Sequence, residues 1–267
     1  MQKRHKDRRL YFNELANTSR DFYLDYVRTV MPLDGNTRVL EIGCGEGGNL
    51  LPFAEMGCKV TGIDIDKPRI DNAIKFFGEE GQKGEFIASD FLEVPVPQTE
   101  EERFDLVLVH DVIEHIEAPY KHSFMQLMQR FMKRSAVAFF GFPAWQMPFG
   151  GHQQMCHGRL SKMPYIHLLP TKMYGSLLKH AGETESSVEG LMSIKRSRMP
   201  IEKFERLVRE SGMRVCKRTL WLINPHYKQK FHLVPVREVW PFNAIPWLRN
   251  FYSTSAWYLL KNGTTET

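Results

Sequence analysis

The amino-acid sequence predicts an α/β protein built on a three-layer, doubly wound, mostly parallel sheet, with a cap insertion after the fifth strand. From Arg38 onward, short apolar runs alternate with amphipathic helical patterns, the order expected of a parallel sheet with helices on both faces. The run 104–109 is almost entirely apolar, as expected of a central strand. The rhythm breaks only after residue 140 and returns near residue 201.

The elements follow in chain order. Residues 11–31 carry apolar side chains at near-helical spacing, which predicts one or two helices before the first strand. We expect Asn49 to cap the helix after the first strand and Gly57 to end it. Further helices are expected after Asp66 and from Pro119. Parallel strands are predicted at 39–42, 59–64, 85–88, 104–109 and 136–140, and two more strands at 215–223 and 251–260.

Residues 141–199 are rich in Met, His, Gly and Pro and show one helical patch, at 173–179. Long irregular segments of compact domains are usually functional lids or disordered, and the aromatic and proline residues argue against disorder here. We therefore divide the chain into an N-terminal helical segment, 1–36, and a main domain, 37–267. Within the main domain, 142–199 forms a cap that shapes the substrate pocket.

An aromatic loop lies between the two late strands, with Trp240, Phe242, Ile245 and Trp247. Such a loop can contact a membrane surface or a hydrophobic substrate, but aromatic residues more often pack in a core. We expect core packing.

Composition is that of an ordinary globular protein, with 42% hydrophobic and 25% charged residues. No apolar run approaches the roughly 18 residues of a membrane span, so a cytoplasmic location is expected. The four cysteines show no paired spacing and are expected to be free thiols. The net charge of +5 is concentrated in residues 3–9. That run is expected to be a solvated terminus rather than a site for nucleic acid, anionic lipid or a phosphorylated substrate.

A glycine-rich turn follows the first strand, in the stretch 39–49. Glycine allows positive φ and close approach of a ligand to the backbone, and the helix start beyond it offers free N–H groups. Gly43, Gly45 and Gly48 also satisfy the dinucleotide pattern G-x-G-x-x-G, so the turn alone leaves the cofactor open.

Carboxylates stand at the ends of the neighbouring strands. Glu41 precedes the turn, Asp64 ends the second strand, where an acid can accept both ribose hydroxyls, and Asp90 follows the third beside Phe91. Strand four ends in the segment 110–115, whose polar residues are His110, Asp111, Glu114 and His115. Ligands of such sheets bind beyond the carboxyl ends of the strands, where all these residues fall.

Together these motifs resemble the class I S-adenosylmethionine-dependent methyltransferases. Residues 41–47 match the family's first motif, Asp64 its ribose-binding acid, Asp90 its adenine-side acid, and 110–116 its motif after strand four. The resemblance covers about 38–142 and implies S-adenosylmethionine as cofactor, S-adenosylhomocysteine as product and an antiparallel last strand. The cofactor-binding residues it implies are Glu41, Gly43, Cys44, Gly45, Gly47, Asn49, Asp64, Ile65, Asp90, Phe91, His110 and Asp111.

A dinucleotide dehydrogenase is the structural competitor, since it explains the glycines and Asp64 equally well. It does not call for Glu41, for Asp90 or for the pair Glu114-His115, and it normally needs a separate substrate domain.

The pair Glu114-His115 resembles the Glu-His pair of O-methyltransferases of quinone biosynthesis. With Asp111 it also resembles the acid-x-x-Glu-His cluster of small-RNA 3′-terminal methyltransferases, which use it with a later histidine to hold a divalent metal. His152 follows strand five, where that later histidine would lie. We therefore expect His152, Glu114 and His115 to form the catalytic, acceptor-side site, with His152 acting as a base. A divalent metal held by Asp111, Glu114, His115 and His152 is the less favoured interpretation.

The function expected is methyl transfer from S-adenosylmethionine to a small-molecule or sugar hydroxyl, by an enzyme that makes at most weak contact with a membrane surface. One alternative is methylation of RNA or another polyanion at a metal-assisted site. A further alternative is a non-catalytic subunit that only binds the cofactor.

Overall fold

Apolar runs from the first half of the chain form five parallel strands in the computed structural model, which describes residues 7–263. They are β1 (Arg38–Ile42), β2 (Lys59–Asp64), β3 (Glu85–Ala88), β4 (Phe104–His110) and β5 (Met132–Phe142). Their order in the sheet is β3-β2-β1-β4-β5, with β1 and β4 in the centre. The strand order reverses between β1 and β4, because β2 and β3 lie on one side of β1 while β4 and β5 lie on the other. Such a switch point opens a crevice at the carboxyl ends of the strands.

The late strands complete the sheet, in the order β3-β2-β1-β4-β5-β8-β6-β7. They are β6 (Met213–Ile223), β7 (Val236–Arg237) and β8 (Ser255–Asn262). Because β8 lies antiparallel between β5 and β6, the predicted fold class with an antiparallel last strand is confirmed. The strand begins later than predicted, since 248–251 forms a 3₁₀ turn.

Helices cover both faces of the sheet. They are α1 (Arg8–Thr18), α2 (Leu24–Arg28), α3 (Leu51–Glu55), α4 (Lys67–Glu79), α5 (Lys121–Phe131), α6 (Thr171–His180), α7 (Glu185–Ser197), α8 (Ile201–Glu210) and α9 (His226–Phe231). A π-helical turn, Ser19–Tyr23, joins α1 to α2. No helix among the described residues is long and apolar enough to cross a bilayer.

The expected capping role of Asn49 is wrong. Asn49 lies within a 3₁₀ turn, Gly48–Leu50, and its side chain instead donates from Nδ2 to Glu41 Oε1 over 2.7 Å. Glu41 is buried beneath the turn, so its carboxyl competes for the amide more strongly than a solvent-exposed helix end would. Gly57 ends the helix as predicted, with φ of +87°.

The cap insertion contains more regular structure than the one predicted helical patch. That patch lies within α6, and α7 follows it with Thr184 accepting from Ser187 N. The small and polar residues of α7 hid its helical period in the sequence. The two helices and the preceding turns enclose a core of their own, made of Cys156, Leu160, Ile166, Tyr174, Leu178, Val188 and Leu191. The insertion therefore has a small hydrophobic core of its own.

The expected core packing of the aromatic loop is also wrong. Trp240, Phe242, Ile245 and Trp247 are all exposed. Polar bonds hold the backbone here, because Trp247 N donates to Glu202 Oε1, and the side chains are left outside.

The structure describes the basic run 3–9 only from Asp7 onward, and residues 3–6 lie outside the described residues. Arg8 and Arg9 form ion pairs with Glu46 and Glu79, at 3.3 and 3.0 Å. The cysteines are free thiols, as predicted.

Trp257 on β8 tests the packing of this fold. The side chain is 1% exposed and its ring contacts the rings of Tyr23, Phe139 and Trp221. We expect Trp257→Ala to lower the free energy of unfolding by about 3–5 kcal/mol in urea titration, because it leaves a cavity in the core. The matched control is Trp247→Ala, which removes an exposed ring and should change the free energy by less than about 0.5 kcal/mol. Equal effects of the two substitutions would contradict the packing described.

Candidate active site

The turn after β1 brings the backbone close to the end of β4. Gly43 has φ of +74°, and a Cβ at this position would lie 2.4 Å from Val112 Cγ2. The amides of Gly43 and Cys44 donate to the carbonyl of Ile63 at the end of β2. The turn therefore needs glycine at this position both for its backbone conformation and for the space that Val112 takes.

Glu41 and Asn49 lie beneath this turn rather than in the cavity beside it. Glu41 is 1% exposed and Asn49 is 5% exposed, and the hydrogen bond already described joins their side chains. Burial raises the pKa of Glu41 to about 8, and the bond from Asn49 only partly offsets that effect. The pair consequently acts as a neutral internal tie between β1 and the turn.

Gly48 completes the dinucleotide pattern for a reason unrelated to a phosphate. A Cβ on Gly48 would lie 2.5 Å from the backbone oxygen of Phe12. This glycine therefore allows α1 to pack against the turn, so the third glycine of G-x-G-x-x-G carries no evidence for a dinucleotide here.

A cavity of about 500 Å³ opens at the carboxyl ends of β1, β2, β3 and β4. Asp64 lies in its wall with its carboxylate fixed by the amides of Gly45 and Asp66, at 2.8 and 2.9 Å. Asp90 is fixed in the same way by the amide of Leu92. Each carboxylate keeps acceptor capacity that faces the cavity. The predicted cofactor residues in this wall are Gly43, Asp64, Ile65, Asp90, Phe91 and Asp111.

The other predicted cofactor residues lie outside this wall. Glu41 and Asn49 form the tie beneath the turn, and Cys44, Gly45 and Gly47 belong to the turn itself. His110 is buried behind Asp111, with 3.4 Å between its Nδ1 and an Asp111 carboxylate oxygen.

Sequence reasoning missed several residues of the wall. The missed wall residues are Ile42, Ile63, Arg69, Ser89, Leu92, Val112, Ile116, Tyr120 and Phe124, together with His115, which had been assigned to the acceptor side alone. The apolar positions Val112 and Ile116 fall inside the motif after strand four, so their neighbours gave a usable signal. Arg69 and Phe124 gave none, because helix residues that turn toward a crevice look like any other amphipathic position.

Asp111 has a left-handed backbone, with φ of +54°, at the floor of this cavity. Desolvation raises the pKa of its carboxyl. The nearby histidines His110, His152 and His226 lower that pKa by a larger amount, so the net shift is downward. Asp111 is therefore a fixed negative charge. Strained backbone of this kind concentrates at functional sites.

Glu114, His115 and His152 come together as predicted. One ligand atom from each lies within 4.8 Å of the others, and the rings of His115 and His152 are 4.9 Å apart. His152 also has a left-handed backbone, with φ of +56°. Burial, with His115 beside it, lowers the pKa of His152 to about 4 although Asp111 opposes the shift. Burial likewise lowers the pKa of His115. Both imidazoles are thus neutral near pH 7 and able to accept a proton.

Glu114 differs from the two histidines. Its side chain is buried, and burial, reinforced by Asp111, raises the pKa of its carboxyl well above the ordinary value. Lys121 is buried nearby and donates from Nζ to the carbonyl of Ile113. Burial, with Lys203, lowers the pKa of Lys121 to about 7. Lys121 holds the segment that carries Glu114, a role that no motif in the sequence indicates.

A second cavity, of about 560 Å³, lies between this cluster and the cap. Its wall consists of His115, His152, Met155, Ser186, Ser187, Gly190, Leu191, Ser193 and Ile194. Since His115 belongs to the walls of both cavities, the two spaces adjoin at this residue.

Comparison with known proteins agrees with this architecture. Residues 39–135 match the methyltransferase domain family. A ubiquinone biosynthesis O-methyltransferase of Nitrosococcus oceani is 30% identical over 120 residues, which are 44% of this chain and 48% of that protein. The corresponding enzyme of Rhodopseudomonas palustris is 39% identical over 80 residues, 30% of each chain. An uncharacterised Rickettsia prowazekii protein is 26% identical over 119 residues, 42% of this chain. The matches span from 21% to 48% of these relatives' lengths.

Solved structures share the fold over nearly the whole chain. A magnesium protoporphyrin IX methyltransferase from Synechocystis superposes with a TM-score of 0.57 at 14% identity, covering 94% of this chain and 84% of that one. An S-adenosylmethionine-dependent methyltransferase from Clostridium acetobutylicum gives 0.57 at 11% identity, covering 92% of each chain.

The sheet order and the crevice at the ends of its strands define a class I α/β methyltransferase fold. Residues 39–135 match a methyltransferase domain, so the predicted resemblance of this part of the chain to the class I S-adenosylmethionine-dependent methyltransferases is confirmed. The dinucleotide dehydrogenase interpretation is thereby set aside.

Gly43→Ala tests the cofactor turn. The added Cβ meets Val112 and occupies a left-handed backbone, so we expect the dissociation constant of S-adenosylhomocysteine, measured by calorimetry, to rise by about tenfold or more. Gly81→Ala is the matched control, since Gly81 has φ of +66° and open space around it. It carries the same backbone penalty without the contact and should leave the affinity unchanged. Equal affinities of the two variants for S-adenosylhomocysteine would contradict a role of this turn in cofactor binding.

Proposed function

We propose that this protein transfers the methyl group of S-adenosylmethionine to a hydroxyl of a small molecule. The observation that carries the proposal is the meeting of two cavities at His115, with His152 in the wall of the second. The first cavity is the cofactor site and the second receives the acceptor. An enzyme of this kind needs the two reactants in line at one junction.

The first cavity suits the cofactor in its chemistry. Asp64 and Asp90 offer carboxylate oxygens, as a ribose and an adenine amine require, and Ile65 and Phe91 supply apolar walls. When bound, S-adenosylmethionine supplies an electrophilic methyl group on a sulfonium. The negative charge of Asp111 lies in the same wall, where it favours a cationic donor over a neutral product.

The second cavity has the character of a small-molecule site. Met155, Leu191 and Ile194 provide an apolar surface, while Ser186, Ser187 and Ser193 provide hydroxyls. Such a wall suits an acceptor with an apolar body and a few polar groups, such as a phenol or quinol. In this proposal residues 142–199 are the cap that shapes the pocket, since α7 supplies most of its wall.

His152 is the proposed base. With S-adenosylmethionine bound, its neutral imidazole would take the proton of the acceptor hydroxyl during methyl transfer, and S-adenosylhomocysteine would be the leaving group. His115 lies against His152 and lines both cavities, so it positions the base and the hydroxyl together. Glu114, whose pKa burial raises well above the ordinary value, stays protonated in this proposal and does not act as a base.

Hydroxyl oxygen is favoured as the acceptor atom by the relatives named ubiquinone biosynthesis O-methyltransferases. A sugar hydroxyl is the other acceptor compatible with the serine-lined wall.

A second candidate is metal-assisted methyl transfer. The cluster of Glu114, His115 and His152 favours it, because two imidazoles and a carboxylate suit Mn, Fe or Zn. Burial disfavours the ionised carboxylate that a metal needs, although a bound cation would reverse that preference. Loss of activity in excess chelator, restored by one divalent ion, would establish this candidate over the base mechanism.

RNA or another polyanion is the less favoured acceptor. No lysine or arginine lines the second cavity, and the described arginines of the basic run, Arg8 and Arg9, pair with carboxylates. Gel-shift measurements with short RNA at physiological salt test this alternative, and binding that persists there would revive it.

His152→Ala tests the proposed base. With tritiated-methyl S-adenosylmethionine and a panel of phenols, quinols and sugars, we expect label in the product of one acceptor class. The substitution should lower kcat by about 10²–10⁴-fold while S-adenosylhomocysteine affinity stays unchanged. His180→Ala, which removes an exposed histidine of α6, is the control and should retain the full rate. A His152→Ala enzyme with unchanged kcat would refute the role of this residue.

The protonation state of His152 provides a test that needs no acceptor. Because burial disfavours the charged ring, we expect its pKa, followed by NMR of the imidazole C–H signals, to lie near 4. The ring therefore stays neutral as the pH falls to about 5.5 and becomes protonated only below that, in contrast to an ordinary histidine with pKa near 6.5. The signal is assigned by its loss in His152→Gln. A midpoint at or above 6.5 would contradict the burial that prepares this base.

A further inference from the structure

A continuous stretch of the surface, residues 231–248, exposes apolar side chains in unusual density. Trp240 and Trp247 are 79% and 62% exposed, and Val234, Val239 and Phe242 project beside them in the sequence. Large apolar patches of soluble proteins mark contact sites, since single exposed residues are common but clusters are not. We name residues 231–248 the apolar segment.

The apolar segment is held in place by polar bonds, which shows that its outward side chains are a stable feature of the fold. Glu238 is buried and accepts from Ser253 Oγ at 2.5 Å. The amide of Trp247 donates to Glu202, which also binds Arg249 at 2.9 Å. The backbone is thus fixed to the body of the protein while the aromatic rings remain in solvent.

The exposed charge of the apolar segment is positive. Glu238 is the only acidic residue within 231–248, and it is buried, whereas Arg237 is exposed. A surface that repelled lipid phosphates would carry exposed carboxylates here. The segment instead combines tryptophan, phenylalanine and aliphatic side chains with a cation, the composition favoured at the headgroup boundary of a bilayer.

A basic cleft adjoins the segment at Trp247. This cavity, of about 530 Å³, is lined by Trp247, Phe251, Arg198 and Lys203 together with cap residues that include Trp145. Neither Arg198 nor Lys203 forms an ion pair with a carboxylate in the described part of the chain, 7–263. Burial, with Arg198 nearby, lowers the pKa of Lys203, as expected of two cations that lack an anion between them.

We propose that the apolar segment and the basic cleft form a binding surface for an anionic lipid bilayer. Trp240, Phe242 and Trp247 enter the headgroup boundary, and a lipid phosphate occupies the cleft between Arg198 and Lys203. The aromatic rings supply apolar transfer, and the two cations supply preference for anionic lipid. Since Trp247 belongs to both the segment and the cleft, one docking event engages both. The surface is separate from the cofactor and acceptor cavities, so this inference stands apart from the proposed function.

Vesicle sedimentation with the full-length protein tests the surface. We expect it to co-sediment with phosphatidylcholine vesicles containing phosphatidylglycerol more strongly than with phosphatidylcholine alone, and less strongly as salt rises. Tryptophan fluorescence gives a second readout, because the other three tryptophans, Trp145, Trp221 and Trp257, are buried. Brominated lipid should therefore quench only the signal of Trp240 and Trp247.

Two variants separate the parts of the surface. Replacing Trp240, Phe242 and Trp247 by serine should lower the partition coefficient roughly hundredfold or more on both vesicle types, by loss of apolar transfer. Arg198→Gln with Lys203→Gln should lower it roughly twentyfold on anionic vesicles, about fivefold per cation, and leave binding to phosphatidylcholine unchanged. The control is Ile74→Ser with Met173→Ser, which removes exposed apolar side chains from α4 and α6 and should leave binding intact.

Far-UV circular dichroism and the urea midpoint verify that each variant is folded. Wild-type protein that stays in the supernatant with both vesicle types would overturn the proposal. So would a concentration-dependent dimer, seen by light scattering and abolished by the triple serine variant, because the segment would then bind a second copy of this chain. Calorimetric binding of glycerol phosphate without vesicle binding would assign the cleft to a soluble phosphate and would likewise overturn it.

Discussion

The buried hydrogen bond from Asn49 to Glu41 is the constraint on which the site depends. Both residues are almost fully buried, and a carboxyl left there without its donor would cost about 1–3 kcal/mol. The bond ties β1 to the turn that follows it. With the turn fixed, Gly43 packs against Val112, which follows β4, and the amide of Gly45 donates to the carboxylate of Asp64 at the end of β2. One internal tie thereby sets the positions of three neighbouring strand ends around the cofactor cavity.

The acceptor side is built differently, from strained loops that meet across the crevice. Asp111 and His152 both have left-handed backbones, and they bring a fixed negative charge and a neutral imidazole to the same place. Burial lowers the pKa values of His115 and His152, so these values depend on the elements that cover the two rings. The cap has its own small core, and α7 both seals this core and forms the wall of the second cavity. The packing of this small core and the surroundings of His152 are therefore linked through one helix.

Much of this architecture could be predicted from the sequence, because the apolar period of strands and helices reflects burial directly. The five parallel strands and the carboxylates at their ends followed from the alternation of apolar runs and helical patterns. The grouping of His115 with His152 followed from the resemblance to the small-RNA 3′-terminal methyltransferases. The direction in which an individual side chain points could not be predicted in the same way. Asn49 looked like a helix cap because the sequence does not reveal that Glu41 is buried beneath it. The α7 helix was hidden because small and polar residues line a cavity there. Trp240 and Trp247 were expected in the core because they are hydrophobic. Hydrophobicity does not reveal that hydrogen bonds hold the backbone of this loop with its side chains facing solvent.

The crystal structure of the protein with S-adenosylhomocysteine tests the central claim most directly, namely that the cofactor and acceptor cavities meet at His115. We predict that the sulfur lies at the His115 end of the first cavity, with Asp64 and Asp90 on the nucleoside and the second cavity still open beside His152. A ligand whose sulfur faces away from His115, or whose amino-acid part fills the second cavity, would contradict it.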